Sequence, residues 1–185
     1  MPAESINKKY ARHSFNKAAT TYDKVAVLQR EVSERLIERL DIIKAVPETI
    51  LDVGCGTGDS AIKLSKIYKR ADIVGLDFAE QMLKVAENKQ SWTQRLFNSD
   101  IKFVCADVEK LPFQENSFDF VFSNLTLQWC TNLDTTFSEL NRILKPGGLL
   151  FFSSLGPDTL KELRQSWKSI DHNQHVHHFP QMARS

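Results

Sequence analysis

No run of apolar residues in this 185-residue sequence approaches the ~18 that a membrane-spanning helix needs, and residues 1–9 are polar and charged with no apolar signal core. Nor is there an excess of one charge: 24 Lys and Arg stand against 23 Asp and Glu, which excludes a surface built to coat nucleic acid or an anionic membrane. Cysteine is scarce. Cys55, Cys105 and Cys130 are odd in number and have no C-x-x-C spacing, so neither a disulfide framework nor a zinc site is expected, and reduced thiols in a cytoplasmic protein are. There is no internal repeat and no low-complexity segment. The length suits one domain able to bury a core without staples. Glycine is also sparse, seven in all, yet three of the seven fall within five residues at 54, 56 and 58.

The periodicities alternate. Asp23 is a candidate N-cap for an amphipathic helix over 23–43, with Val25, Leu28, Val32, Leu36, Leu40 and Ile43 spaced by three and four. A weaker helical pattern covers 6–22. Strands are then expected at 49–53, 72–76, 101–105, 118–123 and 148–154, and helices at 57–68, 78–88, 133–144 and 158–170. Asn116-Ser117 and Lys145-Pro146-Gly147-Gly148 read as turns before strands. Such alternation predicts an α/β fold, a doubly wound, mainly parallel sheet with helices on both faces. Within the single domain, residues 1–46 form a helical cap, 47–155 a ligand-binding core, and 156–185 a helix and His-rich tail that begins a substrate-side region.

The glycines follow the first strand in Leu51-Asp52-Val53-Gly54-Cys55-Gly56-Thr57-Gly58. A glycine-rich strand-to-helix turn lets a ligand approach the backbone at a helix N-terminus. Asp52 decides which ligand. Its charge would repel a pyrophosphate but favours a sulfonium and an ammonium, so S-adenosylmethionine fits better than a dinucleotide. The G-x-G-x-G spacing also departs from the dinucleotide fingerprint, and no G-K-[ST] phosphate loop exists. Asp77 ends the second strand, where a carboxylate can accept from both ribose hydroxyls or simply cap the next helix, and Asp107 follows the third, where it can accept from an adenine amino group.

These segments, together with Leu111-Pro112-Phe113, Phe118-Asp119-Phe120-Val121 and Leu144-Lys145-Pro146-Gly147-Gly148, resemble the signature of class I S-adenosylmethionine-dependent methyltransferases, a Rossmann-like family. The resemblance implies that Asp52, Gly54, Gly56 and Gly58 surround the methionine moiety, Asp77 meets the ribose, and Asp107 with Val108 the adenine, with Cys55 and Phe78 also among the cofactor-binding residues. Asn124 joins the cofactor set, and the product is S-adenosylhomocysteine. A narrower similarity lies in Ser14-Phe15-Asn16-Lys17-Ala18-Ala19-Thr20-Thr21-Tyr22-Asp23 with Leu28-Gln29-Arg30 following, in Leu155-Gly156-Pro157-Asp158-Thr159-Leu160-Lys161-Glu162-Leu163 and in His175-Val176-His177-His178-Phe179, which resemble the malonyl-acyl carrier protein O-methyltransferases of biotin synthesis. That implies methylation of the free carboxylate of a malonyl thioester, with the malonyl-loaded acyl carrier protein as partner. Other readings are a small-molecule O- or C-methyltransferase of quinone-synthesis type and a non-catalytic cofactor-binding remnant.

A malonyl carboxylate is ionised near pH 7, so no general base is needed, and neither a Ser-His-Asp nor a Cys-His arrangement is evident. Candidates for orienting the substrate are Tyr22, Asn124, Gln128, Trp129, His175 and His177. The run His172, His175, His177 and His178 lacks metal-ligand spacing, and no metal is expected. Lys8, Lys9, Arg12, Lys161, Arg164 and Lys168 are candidates for a face that meets an acidic carrier protein. The family pattern continues beyond this sequence, and 180–185 departs from it. The last two strands of the family's sheet are therefore expected to be absent, which leaves strand 148–154 as an open edge that the tail from Gln174 to Met182, or a second copy of the chain, covers.

Overall fold

Strand alternation sorts the first apolar run onto two faces: Leu51 and Val53 enter one core, and Ile50 enters the other, with Asp52 on the same side as Ile50. That strand, β1 (Thr49–Val53), is the centre of the sheet in a computed structural model that describes residues 7–43, 46–90, 100–156, 158, 159 and 161. The chain continues through α4 (Asp59–Ile67), β2 (Asp72–Asp77), α5 (Glu80–Lys89), β3 (Lys102–Cys105), β4 (Phe118–Asn124), α6 (Leu133–Ile143) and β5 (Leu144–Ser153). All pairings are parallel, and the strand order is β3-β2-β1-β4-β5. The chain therefore leaves β1 toward β2 on one side and returns as β4 on the other. In such sheets the crevice at this switch, outside the carboxyl ends of the strands, is where ligands bind.

One face of the sheet packs Leu51, Val121, Leu140 and Ile143 around α6, and the other packs Ile50, Phe120 and Phe122 against Ala61 and Leu64 of α4 and against Leu36 and Leu40 of the N-terminal helical segment. Three N-terminal helices precede the sheet: α1 (Lys8–Ala18), α2 (Tyr22–Val25) and α3 (Val27–Glu38), the last continuing into a 3-10 turn, Arg39–Ile42. A third apolar cluster, Ala19, Ala79 and Met82 with Phe15, Tyr22 and Phe78, holds this cap to α5.

The structure corrects several sequence-based expectations. The helix expected over 23–43 is broken at Ala26, whose ψ of 44° ends α2, and Asp23 caps nothing. Its carboxylate instead accepts from Thr57 Oγ1 at 2.6 Å and pairs with Lys89 at 2.7 Å, which draws α2 onto the glycine loop. Leu36 and Leu40 are buried as the periodicity requires, but Val25 and Leu28 are exposed. Lys145-Pro146-Gly147-Gly148 is not a turn before the last strand but a bulge inside it: Phe118 pairs with Leu144 and Phe120 with Leu149. Asp119, opposite the bulge, takes Lys145 Nζ and the Thr49 hydroxyl and so anchors it. Beyond residues 158, 159 and 161, the expected helix 158–170 and the tail Gln174–Met182 lie outside the described residues. No helix among the described residues is long and apolar enough to cross a membrane.

Candidate functional site

The glycine loop closes β1 through its backbone: the Gly54 and Cys55 N–H groups both donate to the Leu76 carbonyl, at 2.7 and 3.0 Å. Gly54, Gly56 and Gly58 all adopt positive φ (70°, 54° and 84°), so glycine is required at each, but what surrounds them differs. A Cβ on Gly54 would overlap the Thr126 side chain, and one on Gly58 would come within 2.9 Å of Ala86 Cβ on α5. A Cβ on Gly56 would meet only Tyr22, at 4.0 Å. Gly56 is thus the loop position that faces open space, while the other two are packing contacts.

That space is a cavity of about 210 Å³ at the carboxyl ends of β1, β2 and β4 and the loop after β3, lined by Gly54, Gly56, Asp77, Phe78, Asp107, Val108, Asn124, Gln128, Trp129 and Tyr22 among others. These are predicted residues drawn from four strand ends and the cap. Asp52, Cys55 and Gly58 do not line it. Cys55 faces a smaller neighbouring cleft with Thr57 and Asp59, and Asp52 lies beneath the loop. His175 and His177 lie outside the described residues.

Burial gives the acids of the site unusual protonation. Asp52 is 1% exposed, and its Oδ2 has no hydrogen-bond partner among the described residues. Burial first, then the nearby Asp77 charge, pushes its pKa up to about 8, against a smaller opposing effect of the Ala61 N–H. Asp77 is pushed up to about 6 by burial, although the Ala79, Gly56 and Phe78 N–H groups favour its charged form. Its Oδ2 accepts from Gly56 N at 3.0 Å and its Oδ1 from Ala79 N at 2.8 Å. The cap reading of Asp77 and the ligand reading therefore coexist: the carboxylate fixes the loop and the start of α5 while its flank lines the cavity. The Tyr22 phenol is held neutral, its pKa raised by burial and by the charges of Asp77, Asp23 and Asp59, so at neutral pH it is a donor. Burial also raises the Cys55 and Cys130 thiols, which makes both poor nucleophiles.

The polar side chains after β4 are partly committed. Asn124 donates to the Gln29 carbonyl at 2.8 Å and accepts from Ser153 Oγ at 2.8 Å, tying β4 to α3 and β5. Gln128 donates to the Leu125 carbonyl at 2.6 Å, leaving a buried Oε1 without a donor among the described residues. Both oxygens of Asp107 lie 2.7 Å from Lys8 Nζ, which also reaches Glu109 at 2.7 Å. Phe15 was not singled out as a site residue, yet it stands at the centre of the cleft's aromatic wall: its ring meets those of Trp129 at 5.2 Å, Phe78 at 5.9 Å and Tyr22 at 6.3 Å, all edge to face. Spacing four and seven residues before Ala19 and Tyr22 was the available signal. Lys8 had no such signal, because its partner is 99 residues away.

Residues 51–152 match the model of a methyltransferase domain. The chain belongs to that methyltransferase family. It is 50% identical over 178 residues to a malonyl-[acyl-carrier protein] O-methyltransferase of Gallionella capsiferriformans, covering 96% of this chain and 61% of that protein. A protein of the same name from Methylovorus is 51% identical over 172 residues, covering 92% and 57%. The chain thus spans about three fifths of the length of these relatives. Among solved structures, a S-adenosylmethionine dependent methyltransferase from Mesorhizobium loti superposes with a TM-score of 0.55 at 28% identity, covering 65% of this chain and 52% of that one. The parallel sheet, flanking helices and glycine loop are those of a class I methyltransferase.

Proposed function

We propose that this chain binds S-adenosylmethionine in the cleft at the β1/β4 switch and directs its methyl group to the free carboxylate of a malonyl thioester carried by an acyl carrier protein. The observation that carries the reading is the open edge of Gly56 beside Asp77 at the ends of β1 and β2, in a chain about half identical to proteins named for that reaction. The cleft chemistry fits the cofactor. Asp77, which flanks Gly56 in the cleft and with its pKa of about 6 is mostly ionised at neutral pH, suits a ligand with a sulfonium and an ammonium and no phosphate. Asp77 accepts from the ribose hydroxyls, Phe78 covers the sugar and base, and Asp107 with the Val108 N–H takes the adenine edge.

When bound, the cofactor supplies an electrophilic methyl group. The chain's own residues have to bind, orient and exclude water, because a malonyl carboxylate arrives ionised and needs no base. Tyr22 supports this assignment: its phenol stays protonated, lines the cleft and donates no hydrogen bond to a described residue, so it is available to hold a carboxylate oxygen. Phe15, Phe78 and Trp129 make the wall that keeps water from the methyl group. The test is transfer of label from methyl-labelled S-adenosylmethionine to malonyl carrier protein, with acetyl carrier protein as control. Label in the malonyl sample alone is expected; label in both, or transfer to a quinone precursor instead, would overturn the reading.

A further inference from the structure

Charge is balanced over the chain but not over its parts. Between residues 8 and 30 there are six Lys and Arg and a single acid, whereas the other 162 residues carry 18 basic and 22 acidic residues. That lone acid, Asp23, is taken up by Lys89 and Thr57. The segment 8–30 is the cap itself, α1, α2 and the start of α3, and it forms one side of the cleft through Phe15, Tyr22, Leu28 and Gln29.

The basic residues point away from the core. On α1, Lys9, His13 and Lys17 follow one another at steps of four on one side of the helix, opposite Ala11 and Phe15, which pack inward. Lys9, Arg12, Lys17 and Lys24 are exposed, and none has a carboxylate within ion-pair distance among the described residues. Lys8 differs: Asp107 and Glu109 neutralise it, so it belongs to the cleft wall and not to this face. Beside the cations lies an apolar lip, with Val25 72%, Val27 64% and Leu28 56% exposed, and Leu28 also lines the cleft.

We infer that the outward face of the cap, Lys9, Lys17 and Lys24 with Arg12, is the docking surface for an acidic carrier protein, whose acyl arm enters the cleft over Leu28. The inference rests on the malonyl-thioester reading and adds the place where the protein part of that substrate sits. Complementary charge steers and orients such an encounter, and these cations have no carboxylate partner among the described residues, so no ion pair within the described residues must break before the partner binds. Val25, Val27 and Leu28 follow Lys24 directly in the chain, and Leu28 lines the cleft, which gives the arm an apolar lip to cross.

The test is fluorescence anisotropy with a labelled, malonyl-loaded acidic carrier protein as probe. K9E/K17E/K24E is compared with wild type and with K66E/K69E/R70E, a reversal of equal size at exposed positions around the end of α4. The cap variant should lose about tenfold or more in affinity and most of its salt dependence, the K9Q/K17Q/K24Q variant should fall between, and the α4 variant should stay within about twofold of wild type. Methyl transfer to malonyl-pantetheine, which has no protein part, should be equal in wild type and cap variant. Equal carrier binding by the cap variant and wild type, equal losses in both reversals, or no carrier binding by wild type would overturn the docking surface. Wild type that binds the carrier and loses it on cap reversal, but methylates neither malonyl thioester, would leave the surface standing and remove the reading beneath it.

Discussion

The Asp77 carboxylate accepts the Gly56 N–H at 3.0 Å, and so one buried acid at the end of β2 sets the shape of the glycine loop after β1. Asp77→Ala therefore removes two things at once, a ligand acceptor and the acceptor of two backbone donors. Loss of roughly 1.5–3 kcal/mol in S-adenosylmethionine binding is expected, accompanied by a lower melting temperature. Calorimetry that found unchanged affinity in a destabilised variant would remove Asp77 from the cofactor site and leave it only its structural role.

The pH dependence of stability has a definite sign. Asp52 and Asp77 have folded pKa values raised to about 8 and about 6, above the ordinary carboxylate value of 3.8, so the folded chain holds protons that the unfolded chain has lost. Their neutral forms stabilise the fold fully below about pH 4, and that contribution falls as pH rises through 6 and on toward 8, at up to about 1.4 kcal/mol per pH unit per group. Melting of the ligand-free chain from pH 5 to 8 should show this decline, and Asp52→Asn should flatten its upper part. A rise in stability over that range would contradict the buried, unpaired setting of Asp52. Because the cofactor is cationic, its binding should favour the ionised acids and release protons, visible as a buffer-dependent calorimetric heat.

The glycines should separate by mechanism. All three positions carry a backbone strain on Ala substitution of about 1–2 kcal/mol. Gly54→Ala adds a collision with Thr126 and Gly58→Ala one with Ala86, so both should lose folding stability beyond that strain. Gly56→Ala adds a methyl group in open cleft and should lose cofactor affinity more than stability. Equal melting losses in all three would contradict the different surroundings of the loop.

Turnover at saturating cofactor and substrate should show no essential base between pH 6 and 8, since the nucleophile is already ionised. A turnover rate falling about tenfold per unit as pH drops through that window would require a base and argue against a carboxylate acceptor.

Much of this was legible in the sequence, because the signals were local. Three glycines in five residues marked the loop, and the acids at 52, 77 and 107 marked three strand ends. What escaped was set by partners distant in sequence. Asp23 looked like a helix cap because nothing near it in sequence announces Thr57 and Lys89, which claim its carboxylate. Lys145-Pro146-Gly147-Gly148 has turn composition, yet Asp119 across the sheet holds it as a bulge within β5. The triplet itself could not reveal that Gly58 yields to Ala86 while Gly56 faces the cleft, for that depends on where α5 and the cap pack.

The central claim is methyl transfer to a malonyl carboxylate, and intact-mass spectrometry of malonyl carrier protein incubated with the chain and S-adenosylmethionine tests it most directly. The account predicts a product heavier by one methylene and no mass gain on acetyl carrier protein. A chain that binds S-adenosylmethionine with its cleft intact yet leaves the malonyl mass unchanged would contradict it.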